Sequence, residues 1–371
     1  MATVGVSKLK KIGKKIEHAA RRVFISSLQC RSGNHVLVTK TSEVLQLPAN
    51  PTILFLRQDR LGDAIISTPV FTELYNKYPA GKFIVLLGEN NKGIRDLLPI
   101  PCEVEVYRKK PLADMMMLRR LRKKKIDVLI DLIDNPSSTS SILTAAISAK
   151  YSVGIEKANA SSYAITVPLI DRAKYHIARR IAELLRPFGI DPEHISLRPQ
   201  LKDLTVKKIQ GKAGIVISAG APDRYIPVKI NAEIAEAIIE RGFASEVAIY
   251  FHPKDRKLAE EIINRTKNQH ITLAQPSAVF SEYAKGIVSC EFIVSPDTSA
   301  IHLCSAYGIP VMGIYAPFPP ELHYWTPIGV PYEMIVQYPD LGSLETSNVI
   351  HHIEKLLQTV TPKVQEAVFS E

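Results

Sequence analysis

Unbroken apolar runs recur along this chain, each closed by a polar turn and followed by a segment with helical spacing. Ile53-Leu54-Phe55-Leu56, Phe83-Ile84-Val85-Leu86-Leu87 and Val128-Leu129-Ile130 are the clearest. A strand that is apolar at every position is covered on both faces, which a parallel sheet flanked by helices provides. One set of such units opens at Thr52, with strands at 53–56, 83–87, 103–107, 126–132 and 151–154 and helices at 64–78, 94–98, 112–125 and 137–149. A second set opens at Ala213, with strands at 213–218, 246–251, 292–294 and 310–315. Its helices are at 230–242, 255–267, 280–289 and from Ala300, and a closing helix spans 347–357. The alternation predicts an α/β chain of two doubly wound domains in tandem, 52–197 and 213–371. A helix at 174–187 and a Pro/Lys-rich stretch at 198–212 link them. The expected ligand site is the cleft between domains, at the carboxyl ends of the strands.

Residues 1–51 stand apart. Ser7 is a candidate N-cap for a helix over 7–28, where Leu9, Ile12, Ile16, Ala20, Val23 and Phe24 recur at helical spacing among lysines and arginines. A basic amphipathic helix of this kind either lies in a membrane interface or packs on the protein body. Residues 29–51 read as a short irregular or hairpin segment ending at Pro48 and Pro51. The net charge of +10 is concentrated: eight Lys/Arg against one acid in residues 1–31, and nine against one in residues 108–125. Two basic patches on an otherwise mildly acidic chain fit an anionic partner such as a membrane leaflet, a phosphorylated glycolipid or nucleic acid. Aromatic residues are only 7% and are not interleaved with the basic runs, which argues against nucleic acid. No run approaches the roughly 20 apolar residues of a membrane span, and the basic start is not followed by a secretory h-region. Cys30, Cys102, Cys290 and Cys304 are far apart and unpaired in spacing, as expected of free thiols in a reducing cytoplasm. No metal-ligand spacing, Walker lysine or G-x-S-x-G elbow is present, so neither a metal nor a cofactor is expected.

Three turns carry polar groups where a ligand could sit. The first is Arg57-x-Asp59-Arg60-x-Gly62-Asp63, after the first strand. Gly62 suits a tight turn and Asp63 the start of a helix, as a cap or as a general base. The second is the loop from Ser218 to Pro227, where Gly220 permits close approach and Arg224 can pair with a phosphate, or is simply a solvated surface arginine. The third is Ser295-Pro296-Asp297-Thr298-Ser299-Ala300-Ile301-His302. Here a strand, a turn and a helix start make an anion site, or Asp297 or Thr298 merely caps the helix over a buried His302. The Gly88/Glu89 turn and the turn from Asp134 to Ser138 are weaker candidates.

The first turn, extended through Ala64-x-x-Ser67-Thr68-Pro69, resembles the opening signature of the heptosyltransferase family, glycosyltransferase family 9. Ser295-Pro296-Asp297-Thr298-x-x-x-His302-Leu303-x-x-Ala306-x-Gly308-x-Pro310 is similar to its late signature. The likeness runs in order from about residue 52 to 357, with weaker echoes at residues 127–132, at His176 and at residues 220–227. It implies a GT-B fold of two Rossmann-like domains facing a cleft. It also implies metal-independent, inverting transfer of a sugar, heptose from ADP-heptose foremost, onto a lipopolysaccharide-core or related glycolipid. Asp63 then falls on the base. Gly220, Arg224, Asp297, Thr298, Ser299, Ala300, Ile301 and His302 fall on the donor side. Acceptor contacts are expected from Arg60, Gly62, Asn135, Ser137, Arg119, Arg120 and Arg122, with the protein peripheral on the cytoplasmic face of the inner membrane. Ser299 and Ile226 stand where relatives usually carry glycine and an aromatic. Two other functions share these features: a GT-B-like sugar-nucleotide epimerase, which needs no acceptor, and a catalytically silent glycolipid- or membrane-binding protein.

Overall fold

The computed structural model describes residues 35–277, 279–319 and 323–360. The helix expected over 7–28 and Cys30 lie outside the described residues. The described chain forms two parallel sheets. The first is seven-stranded and contains β1 (Val36–Leu37), β2 (Thr52–Arg57), β3 (Lys82–Gly88), β4 (Glu103–Tyr107), β5 (Val128–Asp131), β6 (Tyr151–Ile155) and β7 (Ile165–Val167). Their spatial order is β1-β7-β6-β5-β2-β3-β4. Its helices are α1 (Leu61–Ile66), α2 (Thr68–Lys77), α3 (Pro111–Lys123), α4 (Ser138–Ile147) and α5 (Ile177–Ala182). The second sheet is six-stranded, from β8 (Lys212–Val216), β9 (Glu246–Tyr250), β10 (Ile271–Leu273), β11 (Phe292–Pro296), β12 (Val311–Tyr315) and β13 (Tyr332–Val336), in the order β10-β9-β8-β11-β12-β13. Its helices are α6 (Val228–Glu240), α7 (Arg256–Arg265), α8 (Phe280–Val288), α9 (Ser299–Tyr307) and α10 (Thr346–Val360).

The period-2 alternation of each strand sorts its apolar residues between layers. From β2, β3 and β5, Leu54, Leu56, Ile84, Leu86 and Leu129 face α3 and α4. Their neighbours Ile53, Phe55, Val85, Leu87, Val128 and Ile130 face the opposite way. That second face is continuous with Val216, Tyr250 and Ile293 of the other sheet and with Ile287, Ile301 and Leu303 of α8 and α9. The two domains therefore share one apolar core at the base of the cleft. A separate core on the outer face of the second sheet packs beneath α6, α7 and α10.

Several local expectations change. The segment before Thr52 is not a hairpin: Val36 and Leu37 pair in parallel with Ile165 and Thr166, adding an edge strand to the first sheet. The helix expected at 64–78 starts earlier, at Leu61, and is broken at Ser67, where Pro69 cannot supply an N–H and the Ser67 hydroxyl donates to the Asp63 carbonyl at 2.8 Å. Ile226, expected to bear on ligand contacts, is packed in the outer core of the second domain. β7, β10 and β13 are short strands that carried no distinct apolar run in the sequence.

In both sheets the chain reverses its direction of winding next to the first strand of the domain: between β2 and β5 in one, between β8 and β11 in the other. Such switch points open a crevice at the carboxyl ends of the strands. The turns after β2, β5, β8 and β11 are the candidate turns.

Candidate active site

β2 ends its apolar run on Arg57, and the sheet buries that guanidinium almost completely, at 1% exposure. A buried charge needs partners, and Arg57 has them. Nε donates to the Asp63 carbonyl at 3.0 Å and Nη1 to the Leu132 carbonyl at 2.7 Å. Nη2 lies 3.3 Å from Asp63 Oδ1, and Nη1 lies 3.5 Å from Asp59 Oδ2. Asn91 locks the turn from below, its Nδ2 donating to the Arg57 carbonyl and its Oδ1 accepting from Gly88 N, both at 2.7 Å. Asp63, in the first turn of α1, is 5% exposed. Burial pushes its carboxyl up to about 7. Arg57 pulls against that shift, Asp59 adds to it, and Arg60 and Asp134 act more weakly in opposite directions. A carboxylate with this pKa is matched to accepting a proton near neutrality. Beside it, Gln58 Oε1 and Asp59 Oδ1 are buried with no hydrogen-bond partner.

The turn after β5 closes one side. Asp131 is paired with Lys157 at 2.8 Å and accepts from the Tyr163 hydroxyl. Asp134 is gripped by Arg180, with Nη2 at 2.9 Å. Arg172 donates to the Asp134 carbonyl and to Asn135 Oδ1. Ser137 is the N-cap of α4, its Oγ accepting from Ser140 N at 3.1 Å. Asn135 and Ser137 thus lie in the turn at the first switch point, both engaged with their own domain.

In the second domain, Arg224 leaves the loop after β8 and its Nη1 comes within 2.9 Å of Asp297 Oδ2, at the end of β11. The approach is off line, and Oδ2 keeps no well-directed hydrogen bond. Burial raises the Asp297 carboxyl, while Arg224 and then Arg60 pull it back down. Thr298 caps α9, its Oγ1 accepting from Ala300 N at 3.3 Å, and its carbonyl accepts from Ile301 N at 3.2 Å. The Ala300 and Ile301 N–H groups are therefore engaged within the turn, which leaves those of Thr298 and Ser299 to a ligand. Gly220 opens on empty space, where a Cβ would meet nothing within 4 Å. His302 is buried in the body of α9, 6.4 Å from the Trp325 ring, and burial pushes its pKa down to about 3, so it is neutral.

The two signature turns meet. A Cβ on Gly62 would stand 2.9 Å from His302 Cδ2 and 3.5 Å from Ser299 Cα. Glycine is required here because α1 approaches α9 this closely. The turn bearing Asp63 is thus seated on the turn bearing Ser299, with exposed Arg60 near enough to influence both carboxylates. Arg119, Arg120 and Arg122 are not brought there. They occupy the last turns of α3, which runs back toward the amino ends of the strands. Arg120 is spent on Glu105 of β4 at 2.6 Å, and Arg122 on the Ala146 carbonyl. Sequence reading placed Arg57 and Asp134 in candidate turns but gave neither a role in the site, and it missed Arg180 altogether. The one available signal was Arg57 closing an otherwise apolar buried strand, because a charge in that position must be paired. Among the described residues, no group of three or more His, Cys, Asp or Glu side chains could hold a metal ion.

The family model for glycosyltransferase family 9 (heptosyltransferase) matches residues 115–350. A curated Escherichia coli (strain K12) protein, "Putative lipopolysaccharide heptosyltransferase 4", is 23% identical over 333 residues, covering 84% of this chain and 88% of that protein. Among solved structures, a glycosyl transferase family 9 protein from Veillonella parvula DSM 2008 superposes with a TM-score of 0.72 at 17% identity, over 86% of this chain and 99% of the other. The E. coli ADP-heptose lps heptosyltransferase II gives 0.68 at 16% identity, over 83% and 99%. At these identities the structural likeness speaks for the fold, two Rossmann-like domains of the GT-B kind.

Proposed function

This chain belongs to glycosyltransferase family 9, and we propose that it moves heptose from ADP-heptose onto a lipopolysaccharide-core or related glycolipid acceptor, with Asp63 as the general base. The observation that carries the reading is the contact of the two turns: Gly62 against Ser299 and His302 sets the proton acceptor of one domain beside the anion-binding helix start of the other. An acceptor hydroxyl attacks the anomeric carbon from the face opposite the diphosphate and gives its proton to the Asp63 carboxylate. As the new C–O bond forms, the bond to the diphosphate oxygen breaks and the nucleoside diphosphate leaves with the electron pair. The configuration inverts.

The growing charge on the leaving group is met by Arg224 and by the Thr298 and Ser299 N–H groups, with no metal in the mechanism. The Arg224–Asp297 pair suits this task, because its off-line geometry lets a diphosphate compete for the guanidinium. Arg57 keeps Asp63 ionisable in a site that would otherwise protonate it. A lipid-linked acceptor puts the protein at the cytoplasmic face of the inner membrane.

The test is a panel of ADP-heptose and UDP- and GDP-sugars with a deacylated core acceptor. Acceptor-dependent release of ADP from ADP-heptose is expected. Release of no nucleoside diphosphate from any donor sinks the transferase reading, and product formed without acceptor makes the protein an epimerase instead.

A further inference from the structure

α3 presents two unlike faces. Met117 and Leu121 turn inward onto the first sheet. On the outer side Leu112 is 68% exposed, Met116 52% and Met115 41%. Leu112, Met115, Met116, Arg119 and Lys123 follow one another at helical spacing along that side. The outward row is apolar in its first two turns and cationic in its last. α4, packed beside α3, adds exposed Ile142. Single exposed apolar residues are ordinary, but three on one stripe of one helix form a patch.

The charge around this row is one-signed. Residues 108–125 hold nine Lys/Arg and one acid. Arg108, Arg120 and Lys124 are consumed by Glu89, Glu105 and Glu103. The one acid, Asp114, is buried and accepts from the backbone N–H groups of Arg108 and Lys110. Lys109, Lys110, Arg119, Arg122, Lys123 and Lys125 form no ion pair among the described residues, so six cations flank the apolar row, of which Lys110 acts on Glu89 from beyond ion-pair distance.

We propose that the outer face of α3 docks the protein on an anionic lipid bilayer. Leu112, Met115 and Met116 enter the headgroup region, and Lys109, Lys110, Arg119 and Lys123 lie against acidic headgroups. Charge complementarity selects this occupant: unpaired lysines surrounding exposed aliphatic and thioether side chains match an acidic interface. Protein interfaces are depleted in lysine, and three of the four cations set against the headgroups, Lys109, Lys110 and Lys123, are lysines; a single-stranded nucleic acid favours aromatic stacking, which the row does not offer. The orientation is consistent with the site. α3 begins just past the carboxyl end of β4, where Arg108 meets Glu89, so its apolar tip is on the rim from which the cleft opens. This assignment rests on the transferase reading only for its purpose, delivery of a lipid-linked acceptor to the cleft. It also gives Arg119 a role that the catalytic geometry does not.

The experiment is vesicle flotation of the full chain with phosphatidylcholine vesicles and with vesicles containing 30% phosphatidylglycerol. Wild-type protein is expected to partition to the acidic vesicles and to lose most of that binding in high salt. Arg119→Gln/Lys123→Gln is expected to lower partition about 25-fold, at about fivefold per cation. Leu112→Asp/Met116→Asp should lower it at least as much. Arg256→Gln/Lys257→Gln, on the exposed side of α7 in the other domain, should leave it within twofold. All variants carry the same residues 1–34, so any lipid binding by that segment is a constant background. Partition of both α3 variants within twofold of wild type overturns the proposal, as does an equal loss in the α7 control. A wild-type dimer made monomeric by Leu112→Asp/Met116→Asp with unchanged partition also overturns it, assigning the face to a second copy. Turnover on the deacylated, soluble acceptor, measured in parallel, keeps the two readings separate. It should be unchanged in the α3 variants, whereas its absence in every protein including wild type strikes the transferase and leaves the lipid result standing.

Discussion

The β2–α1 turn and the β11–α9 turn are built alike and charged alike, yet they hold their charges differently. Each runs from a buried parallel strand through a short polar turn into a helix, and each pairs a carboxylate with an arginine. In the first, the arginine is six residues before its partner on the same turn, fully buried and bonded to two carbonyls as well. In the second, it comes from a loop 73 residues earlier, keeps its side chain partly in solvent, donates to the Asp297 carbonyl at a long 3.4 Å, and meets the Asp297 carboxylate off line. The first pair is locked and tuned, as suits a group that must take up and release a proton in one geometry. The second is loose enough to be exchanged, as suits a group that must let a charged ligand in and its product out. Both carboxylates are buried, but Arg57 is buried with its partner while Arg224 is partly open to water, so breaking the first pair costs more than breaking the second, and substitutions separate the two turns.

The largest effect is expected at Asp63. Asp63→Asn should lower turnover about 1,000-fold, in the middle of the range for losing a general base, with donor affinity within about twofold by calorimetry. Loss of donor binding with turnover preserved would invert the assignment of the two turns. Next comes Arg57→Gln, which strips the locked turn of its cation. Denaturant unfolding should show a loss of about 3–5 kcal/mol, as for a buried pair with one member removed. The pH profile of the folded fraction gives a second readout. Asp63 acts ionised, so activity should fall as pH drops below about 7 in the wild type. Without Arg57 the protonated form gains, and the same fall should begin at higher pH. An unshifted limb would mean that the titrating group is not Asp63.

Arg224→Ala should behave oppositely. Stability should fall less than in Arg57→Gln, because water can take the place of the partly exposed guanidinium beside Asp297, while the dissociation constant for ADP rises about 30-fold, within the range for lost hydrogen bonds from a charged donor. Arg224→Lys should recover much of that loss. The smallest effect is expected where the turns touch. Gly62→Ala puts a Cβ 2.9 Å from His302 Cδ2 and should cost about 1–2 kcal/mol of stability, with a severalfold loss of turnover. His302→Ala in the same chain should relieve part of the steric cost, and a double-mutant cycle measures the coupling. Strict additivity would show that the contact does not join the two turns.

Much of the first turn was legible in its residues. Gly62 and Asp63 after an apolar strand point to a tight turn and an early helix, and the second signature points to a capped helix start, which Thr298 provides. The basic helix was legible as a helix but not as a place. Nothing local in Arg119, Arg120 or Arg122 says which end of the domain they occupy, because that follows from α3 running antiparallel to its strands. Val36 and Leu37 read as part of an irregular or hairpin segment. Their true partner, β7, is more than a hundred residues away, and a two-residue strand carries no pattern from which such a pairing could be inferred.

By itself the sequence determined the class of fold, the two units, and which residues line each turn. Strand burial on both faces, helical spacing and turn chemistry are local properties, and a single chain displays them without reference to the rest. Tertiary structure alone decided the strand orders that put the turns after β2, β5, β8 and β11 at switch points, the burial that lifts Asp63, and the seating of Gly62 on His302. Those depend on which strands pair and how the shared core brings the two sheets together. They are contacts between residues far apart in the chain, set by the packing of the whole molecule.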